Sequence, residues 1–237
     1  MMLLIEALRL IRANTRGVVT RLLPAYALWF AVIVLVEAWY DAGGSARGDW
    51  AWVLELSVFA GIMVFGGALL AVIWHRIAMV PDASVTLARG YGRYLVAFTV
   101  IILLYAALLT VTNVLFMQLI LSGTGFSVTG ILPGDIVLPA LITLLLSWAY
   151  LRVGLILPAA ALSETGFSIR DSWSATRRWR GAILGFTLVT TLATAALTGV
   201  GGGHGALLVV VEGVGLGLLA LIGLSALTWM YREATAP

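Results

Sequence analysis

The sequence predicts an all-α polytopic membrane bundle of six transmembrane helices, and three observations carry that expectation. Hydrophobic residues make up 62% of the chain and charged residues only 11%, against about 25% charged in soluble domains. Too little polar surface remains to face water. Six apolar stretches reach the roughly 20 residues needed to span a hydrocarbon core. The basic residues, all arginine, gather at alternate ends of those stretches. Strict strand alternation does not occur, which argues against a β-barrel.

The elements follow in chain order within a single integral membrane domain, 1–237. Residues 1–17 read as an interfacial amphipathic helix, with Glu6, Arg9, Arg12 and Arg16 on one face and Leu4, Leu8 and Ile11 on the opposite one. The basic residues follow the apolar ones, the reverse of a cleavable signal peptide. Spans are expected at about 18–40, 51–74, 94–120, 136–158, 182–200 and 206–230. Ser168 is placed to cap a short helix that runs through Trp173 to Arg178.

Arginine placement orients the bundle. With the N-terminus inside, Arg9, Arg12, Arg16, Arg21, Arg76, Arg89, Arg93, Arg152, Arg170, Arg177, Arg178, Arg180 and Arg232 are cytoplasmic and only Arg47 is outside. That bias predicts both termini in the cytoplasm. Glu37, Asp41, Asp49, Glu55 and Asp135 collect on the outer side, where acids orient little.

A repeat runs through the pattern. Even spans end in an aromatic just before arginine: Trp74-His75-Arg76, Tyr150-Leu151-Arg152 and Tyr231-Arg232. Odd spans follow short arginine-ended segments at 13–17, 86–90 and 175–178. The pattern allows three parallel helix-hairpin repeats with cytoplasmic interfacial helices, or simply hairpins with basic inner ends.

The runs Ala71-Val72-Ile73-Trp74-His75-Arg76, Tyr150 through Ala161 and Ser168 through Arg177 carry a family likeness. Over roughly residues 60–185 the chain resembles uncharacterised bacterial six-helix inner-membrane proteins. These are similar to YciC-like proteins and to the membrane domain fused to some glycerophosphodiester phosphodiesterases. The resemblance implies a bacterial inner (cytoplasmic) membrane protein. It does not imply phosphodiesterase activity, because the soluble catalytic barrel of those enzymes is missing.

Several function classes fall away. The chain has no cysteine, so thiolate metal sites and cysteine nucleophiles are excluded. Its basic balance does not form a nucleic-acid face, since the arginines sit at span ends. No Walker, zinc-protease or nucleophile-elbow motif occurs, and no enzyme, metal or cofactor is expected beyond bound phospholipid.

The remaining candidates are polar residues in or beside the spans. Arg76, Arg152, Arg177, Arg178 and Trp173 are read as lipid or anion contacts, against snorkelling and helix-end hydrogen bonds for Arg76 and Arg152. Glu212, Asn113, Thr187, Thr191, Thr194 and Thr198 could line a polar path. The bland alternative is that the threonine stripe packs in a seam with Gly213 and Gly217. His75 is a lone-histidine candidate for a haem or pigment ligand, or an interfacial polar residue. His204 reads as a loop residue. The expectation is a non-catalytic accessory, assembly or organising subunit of a larger membrane complex, or a lipid-contacting protein. Its partners would be membrane lipids and other integral membrane subunits. The alternative is a proton-coupled or small-solute transporter using Glu212 and the threonine stripe.

Overall fold

Residues 1–43, 49–80, 87–121, 134–164, 166–201 and 206–236 are described by a computed structural model of the chain. The helices in order are α1 (Met2–Ala13), α2 (Thr15–Gly17), α3 (Leu23–Gly43), α4 (Asp49–Met79), α5 (Leu87–Leu121), α6 (Gly134–Val153), α7 (Ile156–Ala161), α8 (Ile169–Ala175), α9 (Arg180–Gly201) and α10 (Ala206–Thr235). A π-helical turn, Val18–Leu22, leads into α3, and a 3-10 helix, Thr176–Trp179, joins α8 to α9. Pro24 accounts for the π turn: lacking an N–H, it cannot donate to the Thr20 carbonyl, and the preceding turn widens.

Five stretches are long and apolar enough to cross a membrane: Thr15–Val36, Ser57–Met79, Gly90–Thr112, Ile169–Leu197 and Val210–Thr235. A shorter apolar helix, Leu141–Val153, joins them. Only 6% to 28% of the residues in these five spans are buried within the protein. Leu103, Leu104, Leu108, Leu192 and Leu218 all point outward. Spans of this length and hydropathy with their apolar side chains turned outward make the chain a multi-pass membrane protein. The arginine 47 and histidine 204 positions lie outside the described residues, as do the side chains of Glu37, Asp41, Asp49, Glu55 and Asp135.

Three expectations change. The fourth stretch, 136–158, is not one helix. Pro158 cannot donate to the Gly154 carbonyl four residues back, so α6 ends at Val153 and α7 restarts at Ile156. Residues Leu157 to Ala161 of α7 are buried, packed on α4, α5 and α10. The N-terminal helix also turns a different face inward. Its buried residues are Leu3, Ala7 and Leu10, while Leu8 is 48% exposed. Leu3 and Ala7 join the main core, beside Leu227, Met230 and Tyr231. The helix is thus packed on α9 and α10 rather than merely resting on headgroups.

The glycine seam also has different partners. Gly213 and Gly217 of α10 leave room for Phe30 and Tyr26 of α3, whose rings occupy the space a Cβ would need. The Tyr26 hydroxyl then donates to the Gly213 carbonyl at 2.7 Å. It is Gly215 that faces α9, against Leu197. On the other flank Trp29 lies in the Cβ space of Gly66 and donates to the Ile62 carbonyl at 3.1 Å. Hydropathy shows the apolar stripe but not which neighbour fills it.

Candidate functional site: an arginine cleft at one end of the bundle

The chain ends of α4, α7 and α10 meet the starts of α5 and α9 at one end of the bundle, and arginines tie them together. Arg76 Nε donates to the Ala161 carbonyl at 3.1 Å and Arg93 to the Ser163 carbonyl at 3.1 Å. Both carbonyls close α7, where helix-end acceptors lack intrahelical partners. Arg178 donates to the Glu233 carbonyl in the last turn of α10 at 2.6 Å. A cation at a helix C-terminus also complements the dipole.

Ser168 caps α8 as the sequence suggested. Its hydroxyl accepts the Asp171 amide at 3.3 Å, and Asp171 Oδ2 accepts the Ser168 amide at 2.8 Å. This reciprocal pair fixes the start of the helix. The carboxylate is also engaged by the Ser168 hydroxyl at 2.6 Å.

Arg152 lies within this frame and is only 6% exposed. Its guanidinium stands 3.7 Å from the Trp173 ring centroid and 5.1 Å from that of Trp148. It donates to the Trp173 carbonyl at 2.8 Å and to Thr176 Oγ1 at 3.3 Å. Trp148 in turn donates to the Arg180 carbonyl at 3.1 Å. Desolvated cation–π contacts are worth about 2 kcal/mol, so indole faces and carbonyls hold the charge without a carboxylate. Sequence reasoning singled out Arg152 and Trp173 but missed Trp148, Ser172 and Thr176. The i, i+4 pair Ser172 and Thr176, facing the helix break, was the available signal.

Beyond Arg152 opens a cleft of about 730 Å³, lined by Ser174, Ala175, Arg177, Arg178, Arg180 and Ala234. Among the described residues, its wall holds three guanidiniums and no carboxylate. Arg177 and Arg180 are close enough to Arg152 to act on it as like charges. Arg178 lies over the Trp179 ring at 4.0 Å, and Trp179 packs on Trp229 at 5.6 Å. Trp173 is 41% exposed beside this cleft. Such an arrangement can bind anions through charge-assisted hydrogen bonds.

The other candidates are not gathered into one site. His75 is fully buried. Its Nδ1 lies 2.8 Å from Thr228 Oγ1, and that hydroxyl donates to the Leu224 carbonyl at 2.7 Å. Tyr94 packs 5.7 Å away, ring to ring. With no exposed surface, the His75 ring offers no open side for a macrocycle. Thr187 is buried and donates within its own helix to the Ile183 carbonyl at 2.8 Å. Thr191 and Glu212 are half-buried and Thr194 is exposed, while the side chains of Asn113 and Thr198 lie outside the described residues. Among the described residues, no group of three or more histidine, aspartate or glutamate side chains could hold a metal.

No family model, no curated protein and no solved structure matches the chain.

Proposed function

We propose that the protein is a non-catalytic inner-membrane component that works by contact, and that its principal contact is with anionic phospholipid headgroups at the arginine cleft. The observation that carries this is the composition of the cleft wall: three guanidiniums, a serine and, among the described residues, no carboxylate. Tryptophans stand at its edge, as they do at membrane–water interfaces. Each arginine near an anionic surface contributes about 1 kcal/mol. In this reading α6 is a sixth crossing, the arginine-bearing end is cytoplasmic, and both termini lie there. The three aromatic-arginine span ends, the proposed YciC-like kinship and the threefold hairpin repeat fit the same picture. So does a role as accessory or organising subunit, with lipid as the shared contact. Transport through Glu212 and the threonine stripe has weaker support, since Thr187 is closed onto its own helix.

Retention of lipid through purification in mild detergent tests the reading. Native mass spectrometry after mixing equal phosphatidylglycerol and phosphatidylcholine should show phosphatidylglycerol retained preferentially. An Arg177→Gln, Arg178→Gln, Arg180→Gln triple variant should lose that preference. Equal retention of the two lipids by the unaltered protein would overturn it.

A further inference from the structure

The arginines of the cleft are not equivalent in position. Thr176–Trp179 forms a 3-10 helix continuing into α9 at Arg180. At about three residues per turn, side chains three apart in such a helix lie one above the other. Arg177 and Arg180 therefore form one pole. Arg178 falls about a third of a turn away and is held there, stacked on Trp179 at 4.0 Å and bonded to the Glu233 carbonyl at 2.6 Å. Ala234, next to that carbonyl, lines the cleft at the Arg178 side. By this helix geometry the arginines of the cleft divide between two poles.

Charge agrees with that division. One phosphodiester would neutralise one of the three guanidiniums that line the cleft. Two phosphodiesters on a short bridge would neutralise two and place one anion at each pole. Ser174 donates its proton to the Asp171 carbonyl at 2.9 Å, so it adds no competing donor to the anions and leaves selection to the arginines.

We infer that the cleft selects membrane lipid whose headgroup carries two phosphates joined by a short linker, such as diphosphatidylglycerol, over lipid with one. The inference rests on the reading of the cleft as a headgroup site. It assigns Arg177 and Arg180 to one phosphate and Arg178 to the other.

Competition in nanodiscs of phosphatidylcholine doped with diphosphatidylglycerol or phosphatidylglycerol at equal phosphate content tests it, with bound lipid read by native mass spectrometry. Diphosphatidylglycerol should bind about fivefold more tightly than phosphatidylglycerol, the increment expected for one added arginine contact. Arg178→Gln should remove most of that selectivity, so that diphosphatidylglycerol and phosphatidylglycerol bind about equally. Arg177→Gln should weaken both lipids. Arg178 is exposed, and Arg178→Lys, which keeps the charge but not the planar stack, gives a second variant to guard against misfolding; it should retain part of the selectivity. Equal binding of the two lipids, both above phosphatidylcholine, overturns the two-phosphate inference and leaves the headgroup reading standing. No preference for either over phosphatidylcholine overturns both. Displacement of bound lipid by millimolar inorganic phosphate would show that the cleft takes a soluble anion, and overturns the choice of lipid as ligand.

Discussion

Ser172 closes the helix break at Arg152: its hydroxyl donates to the Arg152 carbonyl at 2.7 Å and accepts the Leu155 amide at 3.2 Å. One side chain from α8 thereby replaces backbone bonds that the turn between α6 and α7 interrupts. In a bundle with little water, unpartnered backbone groups are costly. Ser172→Ala leaves the Leu155 amide without this acceptor in a fully buried place. We expect a loss of about 1–3 kcal/mol, read as a lower midpoint on titration with denaturing detergent. An unchanged midpoint would show that the break is satisfied some other way.

Arg152 stacks on Trp173 at 3.7 Å through a planar guanidinium. A lysine would keep the charge but lose the plane and the fork of donors. Arg152→Lys should therefore destabilise nearly as much as Arg152→Gln, by about 2 kcal/mol. Both should alter tryptophan emission, because Trp148 and Trp173 flank the group. If lysine restores most of the stability, charge alone matters and the stacking account fails.

The all-α membrane class and five long apolar stretches were legible in the sequence because hydropathy is a one-dimensional signal. The Ser168 cap was legible for the same reason, as a local pattern closing on Asp171 within three residues. The cleft was half legible. Arg177 and Arg178 stood out by type, but their division into two poles depends on the 3-10 turn, which no periodicity announces. The break at Gly154 was signalled by Pro158 and hidden by the continuous apolar run around it. The α3–α10 seam was hidden too, because tertiary contact decides whether Gly213 meets Phe30 or a threonine of α9. The inward face of α1 was missed because Leu3, Ala7 and Leu10 compete with an equally apolar stripe one residue along.

Ser163 ends α7 with φ of 62°. Its amide donates to the Ala160 carbonyl and the Glu164 amide to the Ala159 carbonyl, both at 3.0 Å. This is the pairing of a Schellman cap, whose left-handed position favours glycine. Ser163 Oγ is also buried without a hydrogen-bond partner. Ser163→Gly relieves a left-handed cost of about 1 kcal/mol or more, partly offset by the added freedom of the unfolded chain. A net gain of up to about 1 kcal/mol is expected, with Arg93 still bonded to the same carbonyl. Ser163→Ala removes the hydroxyl and keeps the strained backbone, so it should gain less. Equal gains for the two variants would assign the effect to the hydroxyl instead.

The glycines of the spans divide by what surrounds them. A Cβ on Gly213 would overlap the Phe30 ring and one on Gly217 the Tyr26 ring, whereas Gly61 and Gly67 of α4 have nothing within 4 Å. Alanine at Gly61 or Gly67 should be neutral or stabilising by up to about 1 kcal/mol through helix propensity. Alanine at Gly213 or Gly217 should instead cost about 1–3 kcal/mol from overpacking against α3. Tyr26→Phe, which keeps the ring and removes only the bond to the Gly213 carbonyl, should cost about 1 kcal/mol. A double-mutant cycle isolates the contact. In a Phe30→Ala background the ring that Gly213→Ala strikes is gone, so most of the cost of that substitution should vanish. If it persists undiminished, Gly213 is needed for its own backbone or for a neighbour other than Phe30.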